Sequence, residues 1–266
     1  MSAKIIASEP PHFAYIDAVR GLAFLAVLFA HVSVIDGCFP GWWAWSVGYY
    51  GVQFFFLASA ITLCYSMESR KTKDKRPVLS FFIRRLFRIG PMFWLAILLY
   101  WTLPFESIRH DWLRPFSGET GPAGLDFGLN ALFLHGWVPS AFNSVVPGGW
   151  SIGVEMTFYL IFPALFFKIN SLSRAALGVF VGTLFAIIYF QKIGPFCQAH
   201  FYSDNKIPWF FTQFSFPAQF AVFLIGIFIY HLLRNENLKV LTKNKTGSVY
   251  LLISSLSFLA SFLKFV

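Results

Sequence analysis

The sequence predicts an all-α, polytopic transmembrane helix bundle, built from 266 residues as one membrane-embedded domain, 1–266. Three observations predict it. Apolar side chains make up 57% of the chain and charged ones only 12%, about half the charged share of an ordinary soluble domain. Aromatic residues reach 20%, including 35 Phe, more than one water-soluble core can hide. Apolar runs recur at 15–35, 47–66, 89–103, 151–167, 175–191, 214–233 and 248–266. Roughly 20 such residues cross a hydrocarbon core of about 30 Å, so seven spans are expected.

The first, second, sixth and seventh runs are near full length, whereas the third and fourth are short. A further apolar stretch, 125–138, is about 14 residues long, which suits an interfacial or re-entrant piece. Charge sets the orientation. With the amino terminus cytoplasmic, the inner segments 1–14, 67–88, 168–174 and 234–246 carry net 0, +6, +2 and +3. The outer loops 36–46, 104–150 and 192–213 carry −1, −2 and +1, so the basic residues fall inside. A crossing at 125–138 would invert every later loop and lose this agreement. The net charge of +9 is therefore a topology signal, and no nucleic-acid partner is expected. The first run contains Arg20 and His31 and no small-residue cleavage site follows it, so it is not read as a cleavable signal peptide. Cys38, Cys64 and Cys197 lack ligand spacing, and His110, Asp111 and His135 offer no convergent set. No metal is expected. A Gly-x-Ser-x-Gly elbow is absent, which removes serine-hydrolase chemistry.

Ionisable groups inside spans cost at least about 2.5–3.5 kcal/mol and normally face protein or water. The first span holds Asp17, Arg20 and His31. Arg20 and His31 are eleven positions apart, about 20° from eclipsed, with a rise of about 16.5 Å. They share one stripe, with Arg20 at the inner end, His31 in the outer half, and Asp17 at i−3 placed to pair with Arg20. Either Arg20 snorkels and His31 hydrogen-bonds a neighbouring helix, or the pair lines a shaft with a cation at its mouth and a base part-way up. Glu155 follows Gly148-Gly149-Trp150-Ser151 at the outer entry of the fourth span, one turn inside the membrane, where it needs a cation, a proton or water. Before the third span, Arg84, Arg85 and Arg88 interleave with apolar residues as in an interfacial helix, which Pro91 is expected to interrupt or kink. Arg85 and Arg88 share a face that suits lipid heads or the phosphates of a cytoplasmic ligand.

Taken together, these segments resemble the acyltransferase family 3 group of integral membrane O-acyltransferases. Ile16-Asp17-Ala18-Val19-Arg20-Gly21, with His31, resembles the family's opening motif. Gly51 to Ala60, Phe82 to Pro91 and Trp150 to Tyr159 resemble three further motifs in the same order. Ala60 replaces a usual Gly, and Met156 stands where many members have a second Glu. Members usually carry more spans than seven, so carboxyl-terminal spans are expected to be missing. The resemblance implies an enzyme of the plasma (inner) membrane that uses acyl-CoA, commonly acetyl-CoA, as co-substrate and binds no cofactor. Arg20, Arg85 and Arg88 would meet the donor's phosphates, with Ser59, Trp150 and Tyr159 also contacting substrate. His31 would be the general base on a hydroxyl of a surface glycan or lipid-linked saccharide, Glu155 would position it, and Asp17 would orient Arg20. The rival readings are a glycan or lipid transporter and a truncated, non-catalytic paralogue.

Overall fold

The computed structural model describes residues 14–36, 41–102, 124–196 and 206–235, and every regular element among them is helical. Helices α1 (Ala14–Asp36), α2 (Gly41–Arg70) and α3 (Pro77–Thr102) form the first half. The short α4 (Gly124–Ala131) and a 3₁₀ turn (His135–Trp137) lead into α5 (Trp150–Lys168). The chain then forms α6 (Leu172–Ile188), extended by a π-helical turn at Tyr189–Ile193. Finally α7 (Lys206–Phe214) leads through Ser215 into α8 (Phe216–Arg234).

Five segments are long and apolar enough to cross a membrane: Ile16–Ser33, Ser46–Arg70, Trp150–Lys168, Leu172–Phe196 and Phe210–Arg234. They coincide with five of the seven expected spans. The expected third span is the end of α3, whose apolar part beyond Arg88 is too short to be counted with them. The expected seventh, 248–266, lies outside the described residues. Pro91 does not interrupt α3, which is helical from Pro77 to Thr102. The stretch expected to stay outside, 125–138, forms α4 and the 3₁₀ turn rather than a spanning helix.

Contacts along the helices give their directions. Arg20 of α1 donates to Thr62 Oγ1 of α2 at 2.8 Å, while Gly51 lies against Val27 and Ala23, so α1 and α2 are antiparallel. Gln53 meets Gln219 near one end of α8 and Glu68 meets Arg234 at the other, so α2 and α8 are parallel. His231 Nε2 is 2.9 Å from Ile169 O, which brings the end of α5 to the same side. Helices α2 and α8 are the centre, with more than half of each span buried, whereas α1 and α6 are peripheral at 22%.

The core between α2, α5 and α8 is aromatic. Phe158 stacks on Phe223 at 4.0 Å between centroids, Phe56 on Phe223 at 4.7 Å, and Phe162 on Phe81 at 5.3 Å. Outward, Leu22 and Phe24 of α1, Met92 and Leu98 of α3 and Phe180 of α6 are exposed, as a surface facing acyl chains requires. Lipid tails are as apolar as these side chains, so close packing has to hold the helices together. A close approach of α8 to α2 is at Gly226, where a Cβ would stand 2.6 Å from Ala60 Cβ and 2.8 Å from Leu57 O. Gly226→Ala is expected to lower stability by about 1–3 kcal/mol, read from unfolding of the detergent-solubilised protein. Adding Ala60→Gly should restore only part, because the Leu57 carbonyl remains.

Candidate active site

The entry to α5 is built by a clamped loop. Asn130 Nδ2 donates to Asp126 O at 2.9 Å and to Ala141 O at 3.3 Å, and Trp94 Nε1 of α3 donates to Ala131 O at 2.9 Å. Gly148, with φ +77°, donates its N–H to Asn143 Oδ1 at 2.9 Å. His135 is fully buried against Phe93, and its Nε2 donates to Gly149 O at 3.0 Å. Gly136 then sits directly on Gly153; a Cβ on Gly136 would fall 2.9 Å from the Gly153 carbonyl carbon. The first turn of α5 is thereby fixed, and with it the stripe one and two turns further on.

That stripe faces a cavity of about 380 Å³. Ser151, Glu155 and Tyr159, at steps of four, line it from α5, while Arg85, Arg88 and Ile89 line it from α3. Val52, Phe55, Phe56 and Ser59 come from α2, and Arg20 and Val27, two turns apart, from α1. At its centre Glu155 Oε1 accepts two hydrogen bonds, from Ser59 Oγ at 2.6 Å and from Tyr159 OH at 2.5 Å. The Arg85 guanidinium lies over the Phe81 and Tyr159 rings, 5.7 Å from each centroid. Its Nε is buried without a hydrogen-bond partner. Arg20 is held by Thr62 and lies 3.7 Å from Asp17, whose side chain is half exposed. Three guanidiniums, one carboxyl group and the hydroxyls of Ser59, Ser151 and Tyr159 thus line a space walled otherwise by aromatic and aliphatic side chains.

The structure gathers Arg20, Ser59, Arg85, Arg88, Glu155 and Tyr159 around one cavity. His31 and Trp150 are not among its lining. His31 is exposed, and its Nδ1 is 2.8 Å from Val27 O, which places the ring just above the Val27 wall. Trp150 is buried in an aromatic cluster with Phe56, Phe142, Phe210 and Phe214. The sequence assigns no role to Ser151 or Thr62. Counting back four residues from Glu155 finds the first, and counting three on from Ser59 finds the second.

Residues 13–265 match the family described as Acyl_transf_3, acyltransferase domain. The chain belongs to that family. No curated protein and no solved structure gives a match. As a membrane acyltransferase domain, the chain places its six gathered polar side chains where α1, α2, α3 and α5 meet, with His135 bracing the approach from outside the spans.

Burial holds the His135 imidazole below its ordinary 6.5, against the opposing effect of the Gly149 carbonyl. The folded protein therefore keeps it neutral at pH values where the unfolded chain already binds a proton. Its contribution to stability is complete above 6.5 and is lost as pH falls below that value. Thermal unfolding of this acyltransferase domain from about pH 8 to about pH 5 should show stability declining on acidification. His135→Gln should flatten the decline; equal slopes would remove His135 as its source.

Proposed function

We propose that this acyltransferase moves an acyl group, most simply acetyl, from cytoplasmic acyl-CoA to a hydroxyl of a surface glycan or lipid-linked saccharide. The observation that carries the reading is the single cavity in which three guanidiniums flank the Ser59–Glu155–Tyr159 cluster. Phosphates are bound well by guanidinium forks, and Arg85, which makes no ion pair among the described residues, is one of three guanidiniums lining this cavity. In this reading Arg20, Arg85 and Arg88 hold the donor's phosphates at the end of the bundle carrying the basic loops, which is the cytoplasmic end. Asp17 orients Arg20, and Trp150 supports the outer rim through its aromatic cluster.

The donor's narrow arm then runs along Val27, Val52 and Phe55 toward the outer half. The cavity lining reaches Val27 on α1, and His31 stands one turn above it. His31 takes the proton of the acceptor hydroxyl as that oxygen attacks the thioester carbonyl; the C–S bond breaks and the thiolate leaves toward the guanidiniums. Glu155, braced by Ser59 and Tyr159, fixes the cluster around which donor and acceptor align. Holding both reactants in attack geometry inside a dry bundle supplies much of the acceleration. The whole arrangement belongs in the plasma membrane, with the amino terminus inside.

Acylation of cell-surface glycans, followed by mass spectrometry at matched protein abundance, tests this. His31→Ala is expected to lower acylation by about 10²-fold or more. Arg85→Ala is expected to raise the acyl-CoA concentration required for half-maximal rate. Undiminished acylation in His31→Ala would dismiss it as the base, and an absence of acyl products from the native chain would dismiss the reaction.

A further inference from the structure

A second and larger cavity, about 570 Å³, opens at the bundle end where α2, α5 and α8 terminate. Its polar wall is Glu68, Lys71, Asn170 and Arg234, and Phe167 and Leu172 stand on its apolar side. Glu68 is shared by two cations: Lys71 Nζ is 2.9 Å from one oxygen, and Arg234 Nη1 is 3.2 Å from the other. One carboxylate therefore faces two positive side chains, 40% and 48% exposed, with donors to spare. The carbonyls of the α5–α6 turn do not compete for them. His231 holds Ile169 O, and Arg174 Nη1 donates to Lys168 O. The first turn of α6 begins at this turn and adds the positive end of its dipole, while the ends of α2 and α8 add negative ones.

The resulting surplus is positive but small. It suits a singly charged phosphodiester better than a free phosphate dianion or a nucleotide. Phe167 is half exposed and lies on the same wall as Leu172, so a ligand with an apolar portion is matched on both of its parts. The described segments at this end, 67–88 and 168–174, carry net +6 and +2, which draws anionic lipid to that leaflet. We propose that this cavity binds the headgroup of an anionic phospholipid, its phosphodiester against Lys71 and Arg234 and its acyl chains along Phe167 and Leu172. The proposal rests on the membrane reading of the chain and is independent of the acyl-transfer reaction.

The full chain, reconstituted in nanodiscs of phosphatidylcholine with a minor share of phosphatidylglycerol, should retain phosphatidylglycerol on release into a native mass spectrometer. Lys71→Gln and Arg234→Gln should each reduce retention by about fivefold. Thermal unfolding of both variants in pure phosphatidylcholine discs checks the fold. Should Arg234→Gln fail to fold, the exposed Lys71→Gln carries the comparison. Inorganic phosphate or coenzyme A added to pure phosphatidylcholine discs should shift the unfolding temperatures of the native chain and of Lys71→Gln equally, because any such binding belongs to the other cavity. Equal phosphatidylglycerol retention by the native chain and Lys71→Gln would overturn the site. Stabilisation by phosphate or coenzyme A that Lys71→Gln abolishes would overturn its assignment to lipid.

Discussion

A carboxyl group inside an apolar bundle has to be met by polar partners, because the surrounding side chains offer none. Glu155 is that group, and Ser59 and Tyr159 meet it at 2.6 and 2.5 Å. The Ser59 contact does not survive a slide of one residue: moving α2 by 1.5 Å and 100° carries Ser59 off the face that Glu155 occupies. The register of α2 against α5 is therefore tied to a polar cluster, while the aromatic stacking of Phe158 and Phe223 supplies the bulk of the contact. The arrangement extends to α3, since Arg85 lies over the Tyr159 ring. Attachment of α1 is different. Arg20 reaches Thr62 on α2, so the outermost wall of the cavity is pinned to the central helix rather than to α5.

The entry loop contributes rigidity at the other end of α5. Backbone-to-backbone contact between Gly136 and Gly153 leaves no room for rotation of the first turn. The His135 bond to Gly149 O holds the turn against a carbonyl that already receives the N–H groups of Ile152 and Gly153. Three donors on one carbonyl make the start of α5 a fixed point. Glu155 follows six residues later, too close to drift.

Much of this was legible in the residues because hydropathy is a local property. Runs of apolar side chains found α1, α2, α5, α6 and α8, and a charged group within such a run is conspicuous, which is why Arg20, Glu155 and the arginines of α3 stood out. Ser59 and Tyr159 came with them only through the family motifs. Rotation and burial are settled by neighbours, and there the reading ran out. Trp150 has the composition of an interfacial residue, yet Phe210 and Phe214 of α7, some 60 residues away, enclose it. His31 is aligned with Arg20 on α1, but the cavity lining on that helix reaches only Val27. Pro91 lacks an N–H and was expected to interrupt or kink α3; it does not interrupt it, as spanning and membrane-bordering helices often continue when neighbours accommodate the freed carbonyl.

The two cavities show how differently the same charges behave when their counter-ions are arranged differently. At the end of α2, Lys71 and Arg234 are each within 3.2 Å of Glu68, so most of their field is spent on a carboxylate 31% exposed to water. In the cavity between α1, α2, α3 and α5, the single carboxyl oxygen that is hydrogen-bonded is occupied by hydroxyls, and among the described residues Arg85 and Arg88 make no ion pair. Their charges stand close together, in surroundings of low polarity where repulsion is strong. Phe81 and Tyr159 fix Arg85 and Thr62 fixes Arg20, so a bound anion would relieve the repulsion without moving either side chain. That preorganisation, more than the number of arginines, separates this cavity from a basic surface that merely lies on lipid.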